Sequence, residues 1–182
     1  MRTMLRGRRL IVATALAVAL LAAIPLIANA LTTLRAGGVS VQTVVATNNA
    51  FTSIVGSTAW TDVPGAVLTV QVPASHRGLV TTTFNAESAC HGASGFCSTR
   101  TVLVRPDGTL LELDPAAGTD FAFDSTDSGR EGAASWEAHS ADRNTLLPAG
   151  SWRLKVQRRV TGAGITFRLD EISFKAEVAQ IP

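Results

Sequence analysis

The chain has 182 residues, 46% of them hydrophobic and 16% charged, with 2 cysteines and a net charge of +2. That length fits one domain with a proper core after any leader is removed. The positive charge comes from Arg2, Arg6, Arg8 and Arg9, and the rest of the chain is slightly acidic, so no nucleic-acid partner is expected.

Residues 1–9 are basic, residues 10–27 are almost purely apolar, and Ala28-Asn29-Ala30 is a small-x-small end. This order predicts a secretory signal peptide over 1–30, an N-terminal signal helix cut after Ala30, and a secreted, extracellular product. The apolar run approaches the about 17–25 residues that span a bilayer. A membrane is therefore expected only through an uncleaved signal. Residues 31–48 are expected to be a flexible leader or a first strand, and 49–182 the folded domain.

Val39 to Ala46 reads as a first strand of imperfect period. A short strand around Ile54 and Val55 follows, then a turn at Asp62-Val63-Pro64-Gly65, where proline presets φ and glycine accepts positive φ. Ala66, Leu68, Val70 and Val72 alternate with Val67, Thr69 and Gln71, and Pro73 to Gly78 is expected to turn the chain. Further strands are predicted over Leu79–Ala86, Thr99–Arg105 and Leu110–Leu113, with short ones at Phe121–Phe123 and Ala134–Ala138. In this last strand Trp136 takes the apolar parity and Glu137 and His139 the polar one. After Pro148-Ala149-Gly150, Trp152, Leu154, Val156 and Val160 fall on one parity. Ser151, Arg153, Lys155, Gln157 and Arg159 fall on the other, which predicts a buried face and a wet, basic face. Two alternating strands, Ile165–Leu169 and Ile172–Val178, close the chain. No segment after residue 30 shows a helical period. Many short strands separated by turn chemistry predict an all-β fold, an antiparallel β-sandwich of jelly-roll type.

Four sets of residues could carry function. Cys90 and Cys97 bracket a glycine-containing loop, and in an exported chain two cysteines are most simply a disulfide. Closing so short a loop stabilises the fold by about 2.5 kcal/mol on the chain-entropy argument. Asp124, Asp127 and Glu131 lie in a polar loop and could gather around calcium, which takes oxygen ligands, although their spacing is not that of an EF-hand. Calcium is the one cofactor to be considered. Glu87, His91, Glu137, His139 and Arg143 form the remaining polar set. Glu137 and His139 stand two apart on a strand and so share a face. They are read either as a structural cluster at a strand corner or, with a second carboxylate, as the acid–base groups of a small, possibly glycoside-directed hydrolase. Trp60, Trp136 and Trp152 are expected in the core.

The succession Val72-Pro73-Ala74, Thr83-Phe84-Asn85-Ala86-Glu87-Ser88-Ala89-Cys90, Phe123-Asp124-Ser125-Thr126-Asp127-Ser128-Gly129, Ser135-Trp136-Glu137-Ala138-His139, Leu147-Pro148-Ala149-Gly150-Ser151-Trp152 and Phe167-Arg168-Leu169-Asp170 resembles a group of uncharacterised exported bacterial β-sandwich proteins. That group implies a fold and a destination but no activity. The strand and turn pattern is more distantly similar to C1q/TNF-like jelly rolls, and this resemblance implies a possible homo-oligomer that binds other macromolecules. The resulting expectation is a non-enzymatic β-sandwich with a binding or structural role, its partner a protein or polysaccharide. The small secreted hydrolase is the alternative.

Overall fold

The structure, a computed structural model, describes residues 38–117 and 121–181. The expected signal helix at 1–30 and the leader up to residue 37 lie outside the described residues. The elements are β1 (Val39–Asn48), β2 (Thr52–Val55), β3 (Thr61–Gly92), β4 (Phe96–Val104), β5 (Leu110–Glu112), β6 (Asp124–Ser125), a single 3-10 turn (Asp127–Gly129), β7 (Glu137–Val160) and β8 (Ile165–Ile181). Every strand pairing is antiparallel.

The fold is an antiparallel β-sandwich, and its two long strands explain how one hydrogen-bonded path makes two layers. One layer runs β1, β8, the 77–92 arm of β3 and the 137–148 arm of β7. The other runs the 61–72 arm of β3, the 150–160 arm of β7, β4 and β5. Both β3 and β7 therefore start in one layer and finish in the other, the connectivity of a jelly roll.

The crossing points are written in proline and glycine. Opposite each other, β3 slips register between Val72 and Arg77 while β7 passes through Pro148 and Gly150. Pro73 and Pro148 withhold N–H groups from the ladder. Ser75 takes a positive φ of 65° and lets the extra residues bulge outward. The segments expected to be chain reversals at 73–78 and 148–150 are thus bends within continuous strands. Turn residues and strand corners have the same composition, so the pattern alone does not separate them.

The interior is aliphatic with a phenylalanine centre. Phe84, Phe167 and Phe174 are fully buried, with Phe123 beside them. Phe84 meets Phe123 at 5.5 Å and Phe174 at 6.5 Å between centroids, distances at which tilted and edge-on rings attract. Leu154, Val156 and Val160 of β7 complete this core, as their parity predicts.

Three expectations about side-chain position change. The basic face of β7 is only partly wet: Gln157 is buried, Lys155 bonds the Asp62 carboxylate at 2.9 Å, and Arg159 lies over the Trp60 ring with Arg100, while Arg158 is buried on the opposite, apolar parity. Of the tryptophans, Trp152 packs against the core, Trp60 is half-buried, and Trp136 is exposed. Finally, β7 begins at Glu137 rather than Ala134, and Phe121–Phe123 is not a strand. The inward parity of β7 is Glu137, His139, Ala141 and Arg143, grading from exposed to buried. The buried end of the strand sets that phase, overriding the weak Ala-Trp-Ala pattern before it.

Candidate functional site

Glu137 and His139 stand where this inward parity emerges at the rim of the sandwich. Across the β3–β7 ladder, Ser88 is directly opposite Glu137 and Ala86 opposite His139, so all four share one face. Ser88 is fully buried. Its hydroxyl donates to Asp124 Oδ2 at 2.6 Å and lies 2.9 Å from His139 Nδ1. His139 Nε2 is 3.4 Å from Glu137 Oε2. Asp124, Glu137 and His139 each offer a ligand atom, and these atoms lie within 4.8 Å of one another.

The hydrogen-bond network assigns the histidine tautomer. A serine has one proton, and Ser88 gives it to the Asp124 carboxylate. The contact to His139 is then Nδ1–H donating to Ser88 Oγ, which turns Nε2 toward the Glu137 carboxylate. The ring is also wedged against Phe123, 5.5 Å between centroids. This is not a serine-nucleophile triad. In a triad the histidine stands between serine and acid. Here the buried serine stands between histidine and acid.

Asp124 reaches the cluster from β6, which pairs with β4 through Cys97↔Asp124 and Phe96↔Ser125. Its Oδ1 accepts from Ser125 N at 2.6 Å. The loop that follows is pinned by Thr126, which is fully buried and bonds the backbone of Gly95. Gly95 lies inside the loop closed by the Cys90–Cys97 disulfide. The bridge therefore does more than brace a loop. Cys90 is two residues past Ser88, Cys97 is paired with Asp124, and the bond ties together the two strands that bring these residues into contact.

The other candidate residues go elsewhere. Asp127 pairs with Arg130 at 2.8 Å, and Glu131 N donates to the Thr126 carbonyl. The three carboxylates considered for calcium do not assemble; Asp124 joins Glu137 and His139 instead. Glu87 faces away from Ser88, opposite Ala138 and Asp170 on the outer face. Arg143 is buried, donates to the Asp142 carbonyl and lies 4.3 Å from the Phe121 ring centroid. Burial holds its guanidinium below the usual arginine range despite Glu112 and Asp142 nearby. His91 lies at the end of β3, and burial and then the charge of Arg168 disfavour its protonated form.

Two residues at this rim escape the sequence reading. Ser88 is one serine among many, and only the β3–β7 register marks it. Phe51 is 54% exposed and meets Trp136, 37% exposed, edge-on at 6.2 Å. Arg168 lies 5.9 Å from the Phe51 ring and donates to the Ala133 carbonyl. Trp136 directly precedes Glu137, so an exposed aromatic pair adjoins the polar cluster.

No family model matches the chain, and no curated protein matches it. Solved structures share its strand arrangement only loosely. Dimeric latent PorU from Porphyromonas gingivalis is similar at 14% identity over 80% of this chain and 14% of its own, with a TM-score of 0.37. The infectious bursal disease virus Gx strain structure is similar at 10% identity over 86% and 44%, TM-score 0.35. The carbohydrate-binding module CBM6cm-2 from Cellvibrio mixtus lichenase 5A, in complex with cellotriose, is similar at 13% identity over 78% and 98%, TM-score 0.27. The chain thus spans 14% and 44% of the length of the first two.

Proposed function

We propose that the chain is an exported β-sandwich binding module whose ligand is a polysaccharide held on the face built by Phe51 and Trp136. The exposed Phe51–Trp136 pair carries this reading. Large aromatic rings are costly to leave in water, and they present an apolar surface to the C–H face of a sugar while indole N–H reaches its hydroxyls. Arg168 supplies further donors at the same place. Export rests on the signal-like N-terminus, the disulfide and the oxidising compartment that such a bond needs.

Retention on insoluble polysaccharides tests the reading. Across a panel of plant, fungal and bacterial wall polymers, the chain should bind at least one, and Trp136→Ala should weaken that binding tenfold or more. Equal retention of the variant would discard the aromatic face as the binding surface.

A second reading is favoured by the approach of Asp124 and Glu137. Glycoside hydrolysis works through a pair of carboxyl groups, and Asp124 and Glu137 each bring a carboxylate oxygen within 4.8 Å of the other. Release of reducing ends from the bound polymer, abolished by Glu137→Gln, would support it. Binding without release supports the module alone.

A further inference from the structure

The geometry points to a divalent transition-metal site, of the zinc class, formed by Asp124, Glu137 and His139 and oriented by Ser88. Three observations converge on it. First, Ser88 Oγ holds His139 Nδ1 at 2.9 Å, so that Nε2 is turned toward Glu137 and the cluster. A histidine ligand with its second nitrogen held by a fixed acceptor is the usual support of a metal-bound imidazole. Here the acceptor is a buried hydroxyl that is itself anchored on Asp124 at 2.6 Å.

Second, the 3.4 Å between His139 Nε2 and Glu137 Oε2 is long for a charge-assisted hydrogen bond, which closes to about 2.7–2.9 Å. It suits two ligands of one ion: atoms each about 2.0–2.1 Å from zinc at a tetrahedral angle lie about 3.4 Å apart. Third, the donor set selects the ion. Calcium and magnesium take oxygen, whereas one imidazole with two carboxylates suits zinc and its neighbours. The exposed Glu137 and half-buried His139 give an entry path. Three protein ligands leave a fourth position for water or a ligand atom. Phe123 packs on the imidazole and fixes its plane.

The test uses the whole, untagged chain with Zn²⁺ and Co²⁺ as probes. One Zn²⁺ per chain should bind by calorimetry, and Co²⁺ should give the visible absorption of a four-coordinate site. Glu137→Gln, at an exposed position, should lower Zn²⁺ affinity tenfold or more without altering the thermal midpoint of the metal-free chain. His139→Gln should do the same or more and abolish the Co²⁺ spectrum. Ser88→Ala should cost about tenfold, the scale of a lost orienting contact, and His76→Gln should cost nothing. Zn²⁺ affinity unchanged in Glu137→Gln and His139→Gln, or lost equally in His76→Gln, would overturn the site. These readouts involve no saccharide, so the result stands apart from the polysaccharide reading.

Discussion

Thr126 holds both backbone groups of Gly95. Its hydroxyl accepts from Gly95 N at 2.9 Å and donates to Gly95 O at 3.0 Å, while Thr126 N donates to the same carbonyl at 3.1 Å. The Gly95 position is closed to side chains, because a Cβ there would stand 2.5 Å from Thr161 Oγ1 and from Ile165 Cδ1. Thr126→Val keeps the shape and removes the hydroxyl, leaving the Gly95 N–H without this acceptor. An unsatisfied buried donor costs about 1–3 kcal/mol, so urea unfolding should show a loss of that size. No shift in midpoint would mean that water replaces the hydroxyl.

Breaking the Cys90–Cys97 bond acts on the same region from the other side. Cys90→Ala with Cys97→Ala should cost about 2–3 kcal/mol by chain entropy. It should also loosen the junction of β3, β4 and β6 and weaken Zn²⁺ binding through Asp124. Lost stability with Zn²⁺ affinity intact would show that Ser88 and the β4–β6 pairing hold Asp124 without the bridge.

Arg158 is a buried cation without a carboxylate partner among the described residues. It is 3% exposed, and its Nη2 donates to Thr52 Oγ1 at 2.7 Å. Burial pushes its pKa down to about 10. A base depressed in the folded state destabilises while it is charged, so stability should rise as the pH passes upward through about 10. Arg158→Met keeps the length and drops the charge. It should leave the thermal midpoint equal or higher, as for other buried charges replaced by apolar groups. A marked fall would mean that the Thr52 contact outweighs the desolvation.

Asp62 gives the fold an acid-sensitive edge. Burial acts to raise its pKa, but hydrogen bonds from Gln157 and Lys155 and the charges of Lys155 and Arg153 together outweigh it, and the net shift is downward from 3.8. A carboxylate depressed in the folded state stabilises fully above its unfolded value, and the gain vanishes as the pH falls through the folded one. Chemical unfolding followed downward from pH 6 should show stability falling below about 3.8, and Asp62→Asn should flatten that part of the slope. Equal slopes in the two proteins would assign acid sensitivity to other carboxylates.

The strands were legible wherever an apolar parity ran into buried sequence, as at Leu154, Val156 and Val160 or Ile172, Phe174 and Ala176. Periodicity failed at the rim. Around Trp136 the phase is set by Ala141 and Arg143 further along the strand, and small alanines carry little information against that. The disulfide followed from the cysteine count and the signal-like N-terminal sequence. The Asp124–Glu137–His139 cluster did not, because its members come from β6 and β7 and are joined through Ser88 of β3. Such a meeting depends on long-range register, which composition does not encode. The basic ribbon also escaped in part, since Gln157 looks solvated by type and is buried.

Because β3 and β7 each belong to both layers, neither layer can detach while its partner keeps its shape. Peeling the 61–72 arm from the 150–160 arm pulls on the same two backbones that carry Ser88, Glu137 and His139. Amide hydrogens on the two sheets should therefore exchange through one shared opening event rather than two. The rim cluster inherits the protection of the whole sandwich, although it stands at the surface.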